Sequence, residues 1–254
     1  MIGKYPMLKN IYFLRELETA YYQLFINKRM PINLESGIIS FAFDDVRSSA
    51  YENGVPLLDK YGIKATFYVA TGLSDKLSEK YIKIADIEKL HESGHHIACH
   101  TYSHYSLKKG NTHELVTDAI KNIERLHNIT GGEAIEHFSY PFGTINFKAK
   151  KLLSQIYKTM RSSQPGINKS IINLYLLRAT CIYNSSYNEQ YLKNIIMEAV
   201  RSRGWLIFYT HGVDQNPDDF SCTPEQLNYL LEASVNSSAE ILPVDRAYKK
   251  IMGL

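Results

Sequence analysis

Cysteine is scarce in this chain of 254 residues: Cys99, Cys181 and Cys222 are an odd set with no C-x-x-C spacing. That excludes a disulfide framework and a thiolate zinc site, and leaves three small, reduced, largely apolar side chains. Long apolar runs are missing too, so no segment reaches the roughly 18 to 20 residues that a membrane-crossing helix needs. Charge is massed nowhere: 29 Lys and Arg against 26 Asp and Glu leave a net +3, and the basic residues form no stripe of the kind nucleic acid would require. Repeats and low-complexity segments are absent. Between Met1 and Phe25, the charges Lys4, Lys9, Arg15, Glu16 and Glu18 interrupt any apolar core long enough for a secretory signal. The expectation is a cytoplasmic protein without a membrane span or a nucleic-acid partner.

What the chain does have, from Gly37 onward, is alternation of short β-rich runs with helical patterns, the mark of βα units. Strands are expected at Ile38–Phe43, Lys64–Ala70, His96–Cys99, Ile135–Tyr140, Tyr157–Arg161, Leu176–Ile182, Leu206–Thr210 and Glu240–Val244. Helices are expected at Ala50–Tyr61, Ile84–Ser93, Thr112–Thr130, Phe147–Gln155, Glu189–Arg203 and Pro224–Val235. Asn111 is placed to cap the third helix with Glu114 folding back, Leu115, Ala119, Ile123 and Leu126 supply its apolar stripe, and Gly131-Gly132 ends it. Seven or eight such units predict one α/β domain, a (β/α) barrel over residues 37–254. Residues 1–36 do not fit the repeat; a helix at Leu14–Phe25 and tyrosines Tyr5, Tyr12, Tyr21 and Tyr22 suggest an N-terminal extension capping the barrel.

Chemistry gathers at a few strand ends. Asp44-Asp45 closes the run Ile38-Ile39-Ser40-Phe41-Ala42-Phe43. His100 and His104 follow the third strand, Tyr140-Pro141-Phe142-Gly143 the fourth, and His211 the run Trp205-Leu206-Ile207-Phe208-Tyr209-Thr210. Taken singly these are weak signals: paired aspartates are commonly a polar strand exit, and His-x-x-x-His pairs are common on surface helices. Together they suit a metal hydrolase. Imidazoles four residues apart on one side of a helical turn reach one ion, a distant carboxylate completes a facial ligand set, and the neighbouring carboxylate serves as base. Catalytic groups of parallel α/β folds collect at the carboxyl ends of strands. Strand alternation would send Asp44 and Asp45 to opposite faces, so sharing one site requires the chain to turn there.

In order and approximate spacing these motifs, spread from about Gly37 to about Ala247, resemble the polysaccharide deacetylase family, the NodB-homology or carbohydrate esterase family 4 enzymes. The resemblance implies a distorted, NodB-like (β/α) barrel and a reaction that removes N-acetyl groups from an amino sugar, giving acetate and a free amine. It makes Asp44 the general base and His211 the general acid. It makes Asp45, His100 and His104 the ligands of one divalent transition metal, zinc first, with cobalt, nickel or ferrous iron as alternatives. The backbone N–H of Phe142 becomes an oxyanion donor. Two departures stand out. Ser139 occupies the place of the arginine that usually holds the base, and the D-x-x-x-W motif is not recognisable between residues 150 and 190. An arginine from elsewhere should replace the missing one, and Arg178 is favoured over Arg161 because alternation puts Leu176, Arg178 and Thr180 on one face. His96 is read as packing, with a supporting role at the site as the alternative; Asp214, Asp218 and Asp219 are placed to orient His211 or to be solvated turn residues. The expected partner is an N-acetylated saccharide, in particular a nucleotide-linked or lipid-linked precursor of a surface polysaccharide. Competing readings are a metal-dependent amidohydrolase on a non-sugar amide, and a non-catalytic saccharide-binding protein on the same barrel.

Overall fold

The βα alternation becomes, in a computed structural model describing residues 27–76, 80–107 and 110–254, a sheet curled into a barrel. The strands are β1 (Arg29–Pro31), β2 (Ile38–Asp45), β3 (Thr66–Val69), β4 (His96–Cys99), β5 (His137–Ser139), β6 (Thr159–Arg161), β7 (Ile167–Asn168), β8 (Ile171–Asn173), β9 (Thr180–Cys181), β10 (Trp205–Thr210) and β11 (Glu240–Ile241), of which β1 and β8 form a separate two-stranded sheet. Its helices are α1 (Val55–Lys60), preceded by a π-helical turn at Ala50–Gly54, then α2 (Thr71–Lys76), α3 (Ile84–Glu92), α4 (Thr112–Ile129), α5 (Phe147–Leu153), α6 (Glu189–Arg201), α7 (Pro224–Val235) and α8 (Val244–Met252). The expected helix at Leu14–Phe25 and the four early tyrosines lie outside the described residues. Residues 27–36 do not stand apart: β1 pairs antiparallel with β8, and Leu34 is buried among residues of the barrel lumen. No helix among the described residues is long and apolar enough to cross a membrane.

The strand order is β6-β5-β4-β3-β2-β10-β7, with β2 to β6 and β10 parallel along the ladder and β7 antiparallel at its end. Residues 174–181 close the curl. The Met160 N–H donates to Leu174 O at 2.7 Å and the Leu177 N–H to Met160 O at 2.9 Å, while Thr180 and Cys181 pair with Phe208 and Tyr209. Because one half of this segment bonds to β6 and the other to β10, the long strand expected at Leu176–Ile182 contracts to Thr180–Cys181.

Alternation along each strand divides the core. Ile39, Phe41 and Phe43 of β2, with Leu206 and Phe208 of β10, face the helices. Ile38, Ala42, Tyr68, Trp205, Ile207 and Tyr209 fill the lumen. The α4 helix forms as its sequence dictates: Asn111 Oδ1 accepts the Glu114 N–H, Glu114 returns to the Asn111 N–H, and Leu115, Ala119 and Leu126 are buried. At its end Gly131 and Gly132 take φ of 69° and 107°, and the Gly132 N–H donates to His127 O. Helices α2 and α8 are not foreseen. The first is only six residues long; the second starts after Pro243, and buries Val244, Ala247 and Tyr248 in the amino-terminal end of the lumen.

Candidate metal centre and active site

Alternation sends Asp44 into the lumen beside Ala42 and would send Asp45 outward. A tight turn reverses this: the Val46 N–H donates to Asp44 O at 2.6 Å, and Asp45 and Val46 adopt φ of 61° and 59°. Both carboxylates therefore reach one buried site. The two histidines expected to be ligands arrive differently from expectation, because residues 100–104 are not helical. His100 directly follows β4, and Thr101 and His104 take left-handed backbone, φ of 62° and 55°, so the loop folds back and aims both rings the same way. Asp118 of α4 pins the bend: its carboxylate accepts the Ser103 N–H at 2.9 Å and the Ser103 hydroxyl at 3.0 Å. The Thr101 hydroxyl accepts the Tyr105 N–H at 2.8 Å. Five non-glycine residues of the site, Asp45, Val46, Thr101, His104 and Phe142, sit in the left-handed region, a form of strain that concentrates at functional sites.

The donor atoms converge. Asp45 Oδ1 lies 3.4 Å from His100 Nε2 and 3.2 Å from His104 Nε2. Among the described residues, Asp45, His100 and His104 are the one group whose ligand atoms approach as a metal site requires, all within 4.8 Å of one another. The His100 tautomer follows from its other nitrogen: Nδ1 is 2.8 Å from Ser139 O, which can only accept, so Nδ1 carries the proton and Nε2 is bare. A bare nitrogen thus faces a carboxylate oxygen that has no hydrogen-bond partner among the described residues. Two converging acceptors repel unless a cation lies between them, and the residues present fit a divalent metal on that ground. Burial keeps both imidazoles in the neutral, ligating form, lowering His100 to about 3 and His104 to about 4. Burial also pushes the Asp45 carboxyl up to about 6, with neighbouring Asp44 adding to the rise and His211 opposing it.

Asp44 is held by Arg161. One guanidinium nitrogen of Arg161 donates to Asp44 Oδ2 and to the Ser139 hydroxyl, and the other donates to Ser162 O at 3.0 Å. The guanidinium lies between two lumen rings, its carbon 5.0 Å from the centre of Tyr68 and 4.5 Å from that of Tyr209. Burial, the largest single influence, would raise the Asp44 pKa; the charge and hydrogen bond of Arg161, with the neighbouring histidines, together outweigh it, and the carboxyl stays below its usual range. Asp44 Oδ1 is buried with no hydrogen-bond partner among the described residues, leaving a lone pair for an incoming proton donor.

This corrects the expectation for Arg178. Its guanidinium donates to Pro165 O at 3.0 Å and does not touch Asp44. The parity was misassigned: Leu177 and Ala179 face the lumen and Leu176 faces the helices, so Arg178 points away from the site. Arg161 was the better candidate by position, standing at the carboxyl end of its strand like the other site residues. It also pairs directly with Ser139 across the β5–β6 ladder, at the same level of the sheet.

His211 leaves β10 with Nε2 3.9 Å from Asp45 Oδ2. Its ring packs against Tyr183 at 5.5 Å and Phe220 at 5.8 Å between centres, and its Nδ1 is buried with no hydrogen-bond partner among the described residues. The acidic residues after it do not orient it. Asp214 accepts from Ser49 and Asp218 pairs with Arg47, which ties the loop to the turn after Asp45. Phe142 has φ of 58°, and its half-exposed ring lies 4.2 Å from that of His104. His96 is remote from all of this. It opens β4 at the opposite end of the lumen, where its ring meets His137 edge-on at 4.9 Å. Tyr183, Phe220, Arg47 and Asp118 carry no motif and were not read as site residues.

The family model for polysaccharide deacetylases matches residues 32–160. A poly-beta-1,6-N-acetyl-D-glucosamine N-deacetylase of Staphylococcus epidermidis is 28% identical over 115 residues, 41% of this chain and 40% of that protein. The chain spans less than half the length of the curated relatives it matches. Among solved structures, the carbohydrate esterase family 4 domain of a xylanase from the hindgut metagenome of Trinervitermes trinervoides superposes with a TM-score of 0.60 at 18% identity, covering 87% of this chain and 93% of that one. A pseudoenzyme of the same family from Bacillus anthracis reaches 0.61 at 11% identity, covering 85% of this chain and 66% of that one. At these identities the two structures establish the fold.

Proposed function

As the chain belongs to the polysaccharide deacetylase family, we propose that it is a metal-dependent hydrolase that removes N-acetyl groups from an amino sugar. The observation that carries this is the pairing of two sets of unsatisfied acceptors: Asp45 Oδ1 facing a bare His100 Nε2, and the open Asp44 Oδ1 on the adjacent residue. Asp45, His100 and His104 would hold one divalent ion, zinc by preference for two imidazoles and a carboxylate; bound there, it would acidify a water and polarise the acetamide carbonyl.

The chain's own groups do the rest. Asp44 Oδ1 takes the proton of the attacking water as its oxygen bonds to the carbonyl carbon, and Arg161 keeps the carboxylate ionised and turned toward that water. The Phe142 N–H is assigned to the oxyanion on the family resemblance; loss of one such donor typically costs a factor of about 100 or more. His211 Nε2 gives its proton to the nitrogen as the C–N bond breaks, releasing acetate and an amine. The likeness to a pseudoenzyme supports a non-catalytic alternative; the presence of every residue proposed here as base, acid and ligand favours catalysis.

The name of the Staphylococcus relative supports N-acetylglucosamine polymers as the first substrates to test, alongside nucleotide-linked precursors. Zinc-loaded protein should release acetate from an N-acetylglucosamine oligomer faster than from a non-sugar acetamide. The proposal is overturned if no N-acetylated saccharide yields acetate; faster turnover of the non-sugar amide would favour a general amidohydrolase.

A further inference from the structure

Phe220 is 53% exposed, yet its backbone is fixed on both sides. Its N–H donates to Asp218 Oδ1 at 3.1 Å, and its carbonyl accepts the His211 N–H at 3.1 Å. Asp218 is in turn held by Arg47, which also reaches the Ser221 hydroxyl at 3.0 Å. Edge-to-face packing on Tyr183, at 5.7 Å and 86°, sets the ring, which stands 5.8 Å from that of His211. Single exposed phenylalanines are ordinary on protein surfaces. This one has its backbone bonded on both sides, is buttressed by a second aromatic, and borders the group assigned to protonate the leaving nitrogen.

Chemistry then places the substrate. In a 2-acetamido sugar the nitrogen that receives the His211 proton is bonded directly to a ring carbon, so the pyranose must lie within a bond or two of the atom His211 touches. Phe220 presents an exposed apolar ring beside His211. One face of a pyranose is lined with C–H groups of slight positive charge, which suits the negative face of an aromatic ring. Resting on the deacetylase reading above, we propose that Phe220 is the stacking platform for the sugar ring that carries the scissile acetamide, and that it selects substrates by the amine half of the amide.

The test compares zinc-loaded parent, Phe220→Ala and Phe220→Trp on an N-acetylglucosamine tetramer, with acetate release as readout and zinc content measured by elemental analysis. Phe220→Ala should raise KM about tenfold while lowering kcat far less, and Phe220→Trp should keep KM within about threefold of the parent, all three holding equal zinc. A KM for Phe220→Ala within about twofold of the parent, or equal impairment of both variants, overturns the stacking role. If the parent itself releases no acetate from any N-acetylated saccharide, the deacetylase reading falls and this inference with it, an outcome told apart by the parent alone.

Discussion

Arg161 and Ser139 face each other across the β5–β6 ladder, and the arginine reaches past the small serine to Asp44. Directly opposed residues in a sheet share a face. The resemblance places the base-holding arginine at 139; in this chain its neighbour across the ladder supplies it. Arg161→Ala should strand a buried carboxylate and lower stability by about 3–5 kcal/mol in urea unfolding. The swap Ser139→Arg with Arg161→Ser should recover acetate release relative to Arg161→Ser alone; no recovery would mean that the two positions are not equivalent.

Asp44→Asn and His104→Ala separate the base from the ligand. The amide cannot accept a proton, so Asp44→Asn should lose turnover by a factor of about 1,000 or more while keeping its metal. His104→Ala should lose most of its bound metal by elemental analysis. Equal metal in His104→Ala and the parent would remove His104 from the ligand set.

Asp118 is a positioning residue, bonded twice to Ser103 and touching no proposed ligand. Without it the bend keeps the Thr101–Tyr105 bond but loses both bonds to Ser103 that offset the left-handed backbone at Thr101 and His104, which costs about 1–3 kcal/mol per residue. Asp118→Ala should weaken zinc binding roughly 10- to 100-fold in a competition titration, with far-ultraviolet circular dichroism unchanged. Affinity equal to the parent's would show that the loop holds itself.

Acid lability is expected from histidines remote from the metal centre. Burial lowers His95 to about 4 and His96 to about 3, and holds His137 well below its usual value. The unfolded chain therefore binds more protons than the folded one below about pH 6.5, and stability falls with pH through that range by roughly 1 kcal/mol per pH unit for each such histidine. This contribution is intact above about pH 6.5 and progressively lost toward the folded values. Urea midpoints of chelator-treated protein at pH 7 and pH 5 measure it, and a His137→Phe variant with an unchanged pH slope would clear His137 of any part.

Periodicity and turn chemistry are local properties, and the elements that depend on them were legible. His96–Cys99 and Pro224–Val235 form with the bounds read from sequence, and the Asn111 capping box forms as expected. What failed depends on neighbours distant along the chain. The 174–182 segment splits its hydrogen bonds between β6 and β10, so its length and parity were not readable locally, and the error in parity carried the assignment of Arg178 with it. The histidine pair was read on helical spacing, but two left-handed residues bring the rings together instead. Phe220 and Tyr183 belong to no motif, because ring contacts across a loop leave no spacing signature.

Helix α8 plugs one end of the barrel, with Tyr248 against His137 and the Val244 N–H donating to Thr66 Oγ1 at 2.8 Å. With Trp205 and Ile207 filling the lumen above it, the barrel is a cup, not a pipe. Anything that reaches Asp44 comes in at the rim where the strands end and goes out the same way. On the proposed reading, a polymer would not be threaded through but laid across the opening and lifted off between turnovers, so the loops of the rim, including the segment that carries Phe220, would govern both arrival and departure.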